Sequence, residues 1–222
     1  MTVGVLALQG DVREHVALIQ KLGREAVPVK TKEELLDVAA LIIPGGESTT
    51  ISKLLVAFNL MEAVRAFTKQ KPTLGTCAGL ILLSDEVKGA LADQEMIGGL
   101  AVKVSRNAYG GQTHSFEAEV DFGSQSERVA FIRAPRILDA SRVEVIAKLG
   151  QEPVAARQGN LFGASFHPEL TGATFLHSLL LNATYGEEKG SLGSLCQVIP
   201  SGQPPSTRKL PTMRVGRSSG RS

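Results

Sequence analysis

Apolar positions in the first half of the chain alternate between two textures. Val3 to Leu8 is an unbroken apolar run that stops at Gln9-Gly10-Asp11, and Val12, Val16, Ile19 and Leu22 then recur at helical spacing up to Gly23. This predicts strand, turn, helix. Ala26 to Val29 predicts a second strand and Ala39 to Ile43 a third, stopped by Pro44-Gly45-Gly46. Neither alternates polar with apolar, as expected of strands covered on both faces. A helical stretch from about Ser48 to Gln70 precedes a fourth strand, Pro72 to Thr76, which runs straight into Cys77-Ala78-Gly79-Leu80-Ile81-Leu82-Leu83. Repeated strand-helix units predict an α/β fold with a mainly parallel sheet and helices on both sides.

From Gly98 the texture changes to short strands with few helices: Leu100 to Val104, Ser115 to Val120, Val129 to Ile132, Val143 to Leu149, Pro153 to Gln158 and Leu161 to Phe166. Turn formers such as Tyr109-Gly110-Gly111 and Gln158-Gly159-Asn160 separate them, which predicts an antiparallel extension of the sheet. Thr171 to Tyr185 is expected to close the domain as a helix, and no internal repeat is found.

Composition changes this picture only at the end of the chain. The 222 residues are 43% hydrophobic and 21% charged, enough apolar surface for one large core. Residues 187–222 differ: Ser, Gly and Pro make up 16 of these 36, and there is no Phe, Tyr or Trp. The expected division is a domain over residues 1–186 and a disordered basic tail over 187–222, a solvated linker or, less simply, an interaction arm. That tail carries six Lys or Arg against two Glu, so the formal charge of +2 leaves −2 for residues 1–186. Net basicity therefore gives no argument for a nucleic-acid partner. No run reaches the roughly 18 apolar residues of a membrane helix, and Met1-Thr2-Val3-Gly4-Val5 does not resemble a secretory leader. With only Cys77 and Cys196, free thiols in a reducing, cytoplasmic compartment are expected.

The strongest chemical signal is Gly75-Thr76-Cys77-Ala78-Gly79 at a strand-to-helix junction. A nucleophile elbow needs glycines two residues to either side because its tight turn brings backbone against backbone. The following helix would aim its N-terminal N–H groups at the sulfur and favour the thiolate. The plainer reading of Cys77 is a small buried core residue. A cysteine nucleophile needs a base. Among the four histidines, His15 and His177 fall in helical segments and His114 follows a turn, whereas His167 ends a strand and precedes Pro168-Glu169. The residue before proline is held extended, and side chains two apart in an extended chain share a face, so Glu169 can reach the His167 ring. Cys77, His167 and Glu169 then make a triad in which the carboxylate fixes the imidazole tautomer. The alternative is a His-Pro turn with a solvated Glu. Pro44-Gly45-Gly46-Glu47-Ser48 adds a Gly-Gly turn at a strand's carboxyl end, where the N–H of Gly46, with that of Ala78, could stabilise an oxyanion. Ser48-Thr49-Thr50 has the look of a helix N-cap.

These segments, with Arg106-Asn107, Ser115-Phe116-Glu117, Phe131-Ile132-Arg133-Ala134-Pro135 and Ser165-Phe166-His167-Pro168-Glu169-Leu170, resemble the glutaminase subunit of pyridoxal phosphate synthase, a class I triad glutamine amidotransferase. The likeness runs in order from about residue 2 to 185. It implies a flavodoxin-like three-layer sandwich in which Cys77 attacks the side-chain amide of L-glutamine, His167 shuttles the proton and Glu169 orients it. It implies glutamine binding by Gly46, Glu47, Ser48, Arg106, Ile132 and Arg133, and a role for Gln9 in arranging the oxyanion region when a synthase subunit docks. An arginine suits the α-carboxylate, and an acidic or backbone acceptor the α-ammonium. No cofactor or metal is implied. Gly111 stands where the pattern has an arginine, and the tail has no counterpart in it. Rival readings are another triad amidotransferase, a γ-glutamyl hydrolase on the same sheet, or a non-catalytic, redox-sensing protein in which Cys77 is merely oxidisable.

Overall fold

The computed structural model describes residues 1–106 and 115–186. Gly111, His114, Cys196 and the whole segment 187–222 lie outside them.

In chain order the elements are β1 (Val3–Leu6), α1 (Val12–Lys21), β2 (Ala26–Val29), α2 (Lys32–Leu36), β3 (Ala40–Ile43), α3 (Ser48–Ala57), α4 (Met61–Thr68), β4 (Thr73–Thr76), α5 (Ala78–Leu83) and β5 (Ser84–Lys88). They continue with β6 (Leu100–Ser105), β7 (Phe116–Asp121), β8 (Ser126–Phe131), β9 (Arg136–Asp139), β10 (Glu144–Leu149), β11 (Glu152–Gln158), β12 (Leu161–Ala164), α6 (Pro168–Thr171) and α7 (Phe175–Tyr185). One sheet has nine strands in the order β2-β1-β3-β4-β12-β11-β10-β7-β8. Its first five strands are mutually parallel and the rest pair antiparallel, so the expected antiparallel extension is present. The parallel part follows the 2-1-3-4-5 order of a flavodoxin-like sheet.

The unbroken apolar strands are covered on both faces, and successive residues serve opposite sides. Leu41 and Ile43 pack with α3, α4 and α5, whereas Ala40 and Ile42 pack with the inner faces of α1 and α7. A three-layer sandwich results.

Several features depart from the sequence expectations, α2 among them. The stretch from Ser48 to Gln70 is two helices, because Asn59 between them takes a left-handed φ of 55°. The closing helix is likewise broken: α6 ends at Gly172, whose φ is 74°, before α7 begins. A second sheet, β5-β6-β9, was not expected at all. Among the described residues no helix is long and apolar enough to cross a membrane.

Candidate active site

Open α/β sheets present ligands at the carboxyl ends of their parallel strands. Here the loops that follow β1, β3, β4 and β12 carry Gln9, Gly46, Cys77 and His167, and those four strands are neighbours in the order β1-β3-β4-β12. Cys77 and His167 come from adjacent strands in register, with Thr76 opposite Ala164. The Cys77 N–H donates to the Ala164 carbonyl at 2.8 Å, which ties the elbow to the strand leading to the histidine.

Cys77 is the N-cap of α5 and has φ 48° and ψ −98°, a conformation that a non-glycine residue adopts only when its surroundings impose it. Those surroundings are visible. A Cβ on Gly75 would lie 2.5 Å from the backbone of Gly79, and one on Gly79 would lie 2.1 Å from the Ile43 carbonyl oxygen. Only glycines allow this approach, as the elbow reading requires. The Cys77 Sγ lies 3.8 Å from the Ile132 carbonyl oxygen.

His167 Nδ1 is 2.8 Å from Glu169 Oε1 and 3.2 Å from Asp11 Oδ2, and both triad partners of the sulfur are buried. The ring lies close to the backbone of Gly45, where a Cβ would come within 2.2 Å of its Cε1. Glu169 reaches His167, but not by the route expected. His167 still bridges to Ala130 of β8, but Pro168 starts α6, so Glu169 is a first-turn helical residue folded back toward its own N-cap. Proline at the first helical position ends the strand and begins the helix in one step.

Burial works against an imidazolium at His167. Hydrogen bonds with Asp11, Cys77 and Glu169, helped by the negative charge of Cys77, outweigh it and push the ring pKa up to about 12. Burial also raises the Glu169 carboxyl, against the opposing pull of His167. The charge distribution is that of a histidine that holds a proton between sulfur and carboxylate.

The site opens into a cavity of about 280 Å³. Of the residues singled out in the sequence, Gln9, Gly46, Glu47, Ser48, Cys77, Arg106, Ile132, Arg133 and His167 all line it. Ala78 is buried at the start of α5, and Glu169 stands behind His167. The N-cap of α3 is Glu47 itself rather than Ser48-Thr49-Thr50: its carboxylate accepts from the N–H groups of Thr49 at 3.1 Å and Thr50 at 2.7 Å. Burial opposes its ionisation, but the hydrogen bonds from Thr50 and Thr49 prevail and hold the carboxyl below its usual range. Glu47 Oε1 also meets Arg106 Nη2 at 3.0 Å, while Arg106 Nη1 donates to Gln94 Oε1 at 3.1 Å and to Thr49 Oγ1 at 3.2 Å. Gln9 Oε1 accepts from the Glu47 N–H at 2.8 Å and thereby braces the turn containing Gly46. Arg133 has φ 47°, the second non-glycine residue of the cavity in a disfavoured conformation.

Sequence reasoning missed Asp11, Gln94 and the pair His15 and His177. Both histidines are fully buried behind the triad. Their spacing was informative: His15 with Leu18, Ile19 and Leu22 fits the inward face of a helix.

The domain that holds this glycine-flanked cysteine and carboxylate-bound histidine is similar to known proteins. The model of the SNO glutamine amidotransferase family matches residues 5–183. The pyridoxal 5'-phosphate synthase subunit PdxT of Pelotomaculum thermopropionicum is 49% identical over 186 residues, covering 82% of this chain and 94% of that protein. PdxT of Streptomyces coelicolor is 48% identical over 182 residues, covering 80% and 90%. A crystal structure titled as a glutamine amidotransferase superposes with a TM-score of 0.77 at 45% identity, covering 82% of this chain and 98% of that one. With the match spanning every element that carries the elbow, the histidine and the Gly-Gly turn, the chain belongs to the SNO glutamine amidotransferase family.

Proposed function

We propose that the chain is the glutaminase subunit of a pyridoxal 5'-phosphate synthase, hydrolysing L-glutamine to L-glutamate and ammonia and passing the ammonia to a synthase subunit. The observation that carries this reading is the strained Cys77 beside a His167 whose Nδ1 is fixed by Glu169 at 2.8 Å.

The Cys77 thiolate adds to the side-chain amide carbon of glutamine, and the electron pair of the C=O moves onto oxygen. The N–H groups of Gly46 and Ala78 are the donors assigned to that oxyanion. Its collapse breaks the C–N bond, and protonated His167 gives its proton to the departing nitrogen, which leaves as ammonia. A water molecule then gives a proton to His167 and adds to the thioester carbon, and breaking the C–S bond releases glutamate and regenerates the thiolate. Glu169 keeps the His167 proton on Nδ1 so that Nε2 serves the reaction.

Arg106 and Glu47 present opposite charges side by side in the cavity, suited to the α-carboxylate and α-ammonium of the substrate. Ser48, Ile132 and Arg133 complete the binding wall, and Gln9, through its bond to the Glu47 N–H, is placed to adjust the Gly46 turn when the synthase docks. The thiolate chemistry calls for no cofactor or metal. We assign it to residues 1–186, where α7 ends at Tyr185, and to the reducing cytoplasm, where a cysteine stays reduced.

The test is a glutamine-mimicking diazo-ketone. It should add once, at Cys77, as read by peptide mass spectrometry, and Cys77→Ala should neither be labelled nor release glutamate. Labelling elsewhere, or glutamate release by Cys77→Ala near the wild-type rate, would reject the covalent mechanism.

A further inference from the structure

Two histidines lie behind the triad that the reaction just described does not use. His15, on α1, and His177, on α7, are both fully buried, on helices whose Ile19, Leu176 and Leu180 belong to the apolar core. Buried polar groups in such surroundings carry a desolvation cost, so their contacts matter. His15 Nδ1 is 2.9 Å from His177 Nε2. His15 Nε2 is 3.2 Å from the hydroxyl of Thr76, the residue immediately before the nucleophile. The same Nε2 is 3.5 Å from Glu169 Oε2, the carboxylate oxygen that His167 does not occupy, and that oxygen has no hydrogen-bond partner among the described residues.

The orphan atoms decide the tautomers. One proton must lie between His15 Nδ1 and His177 Nε2. If His15 supplied it, neutral His177 would carry its own proton on Nδ1, which has no partner among the described residues. A buried donor would be stranded, and the bare Nε2 lone pair of His15 would face the carboxylate oxygen. If His177 supplies it, His177 Nδ1 is left as a bare acceptor and His15 carries its proton on Nε2, toward Thr76 Oγ1 and Glu169 Oε2. Burial first, with the charge of His167, keeps His15 neutral, and burial keeps His177 neutral.

Building on the glutaminase reading, we propose that His15, its tautomer set by His177, is a positioning residue of the triad: its Nε2–H is hydrogen-bonded to Thr76 on the strand end that carries Cys77 and, from 3.5 Å, draws Glu169 Oε2 toward it by electrostatic attraction. Held by that donor, Glu169 keeps its other oxygen on His167 Nδ1. Without it, the carboxylate is free to rotate in its pocket, and the histidine loses its fixed proton.

The experiment has two arms on the full chain. Nitrogen-15 NMR of the imidazoles at pH 7 should show His15 as the neutral Nε2–H tautomer, and a Nδ1–H tautomer or an imidazolium would overturn the proposal. This arm needs no variant. Glutamate release in the presence of the synthase subunit should fall about 10-fold or more in kcat for His15→Leu, with KM within about 2-fold. His15→Gln, whose amide nitrogen stands near the place of Nε2, should recover most of that loss although it too lacks an imidazole. Equal losses in both variants at matched thermal midpoints, or an unchanged kcat in His15→Leu, would overturn it. Silence from the wild-type chain would instead reject the glutaminase reading, and the NMR arm would still decide the tautomer.

Discussion

The parallel and antiparallel parts of the molecule contribute differently to one cavity. The parallel strands β1, β3, β4 and β12 place Gln9, Gly46, Cys77 and His167 on the ends of ladder-bonded neighbours, so the reacting groups inherit the rigidity of the sheet. The other wall comes from Arg106, directly after β6 of the small sheet, and from Ile132 and Arg133, directly after the edge strand β8. Each part holds one non-glycine residue at positive φ in the cavity: Cys77 at 48° and Arg133 at 47°. Strain on the parallel side sits at the proposed nucleophile. On the other side it turns the backbone whose Ile132 carbonyl faces that nucleophile. In the proposed function the chemical step belongs to the parallel part, while recognition is divided between Glu47 and Ser48 after β3 and Arg106, Ile132 and Arg133 on the other wall.

The sharpest way to break this division is to change the parallel part and look for an effect confined to kcat. Cys77→Ala should reduce glutamate release by at least about 10⁴-fold while the thermal midpoint stays within a few degrees, because the turn is made by Gly75 and Gly79. Retained turnover would place the nucleophile elsewhere. Glu169→Gln should cost less, on the order of 10²-fold or more, since orienting a base is less costly to lose than the attacking atom. A loss as deep as that of Cys77→Ala would give Glu169 a part in the chemistry itself.

The two parts also differed in how much the sequence disclosed. The parallel strands are short apolar runs ending in Gly-rich turns, and Cys77 was legible because its flanking glycines answer a steric demand that acts over four residues. His167 was legible from the proline after it, although the chain turns into α6 instead of staying extended. Strands β5 and β9 were not, since Ser-Asp-Glu-Val-Lys and Arg-Ile-Leu-Asp have no long apolar run and are strands only by pairing with β6. The five-residue α2 was missed despite a capping box, Thr31 with Glu34, that its sequence spells out. His15 and His177 were missed because a histidine on an inward helix face looks like an interruption of the core. Only the fold shows that α1 and α7 bring the two rings together from residues 162 apart.

On the recognition side, Arg106→Lys should raise KM for glutamine about 10-fold and leave kcat within about 3-fold. A lysine keeps the charge but cannot reach Glu47, Gln94 and Thr49 together from one planar fork. Steady-state kinetics separates the two parameters. A fall in kcat with unchanged KM would erase the boundary between the two parts, because a residue of the small sheet would then be acting only in the transition state.

The smallest expected effect concerns stability, and it compares histidines on either side of Glu169. His177 is fully buried with its pKa lowered by burial to about 3, and His15 is lowered by burial and by the charge of His167. In the unfolded chain both take up protons below about pH 6.5. Below about pH 6.5 the unfolded state therefore binds more protons at both sites, for His177 down to about pH 3, and the stability they permit at neutral pH is lost as pH falls. His167 has the opposite sign. Its raised pKa adds stability that is complete below about pH 6.5 and is lost only as pH rises toward 12, so it contributes no slope on the acid side. Each depressed histidine can contribute up to about 1.4 kcal/mol per pH unit in that acid window. Urea unfolding of wild type and His177→Leu at pH 7, 5.5 and 4.5 measures the difference. The variant should lose stability less steeply with acid, by about 1 kcal/mol per unit. Parallel slopes would mean that His177 is already charged, or already protonatable, in the folded chain.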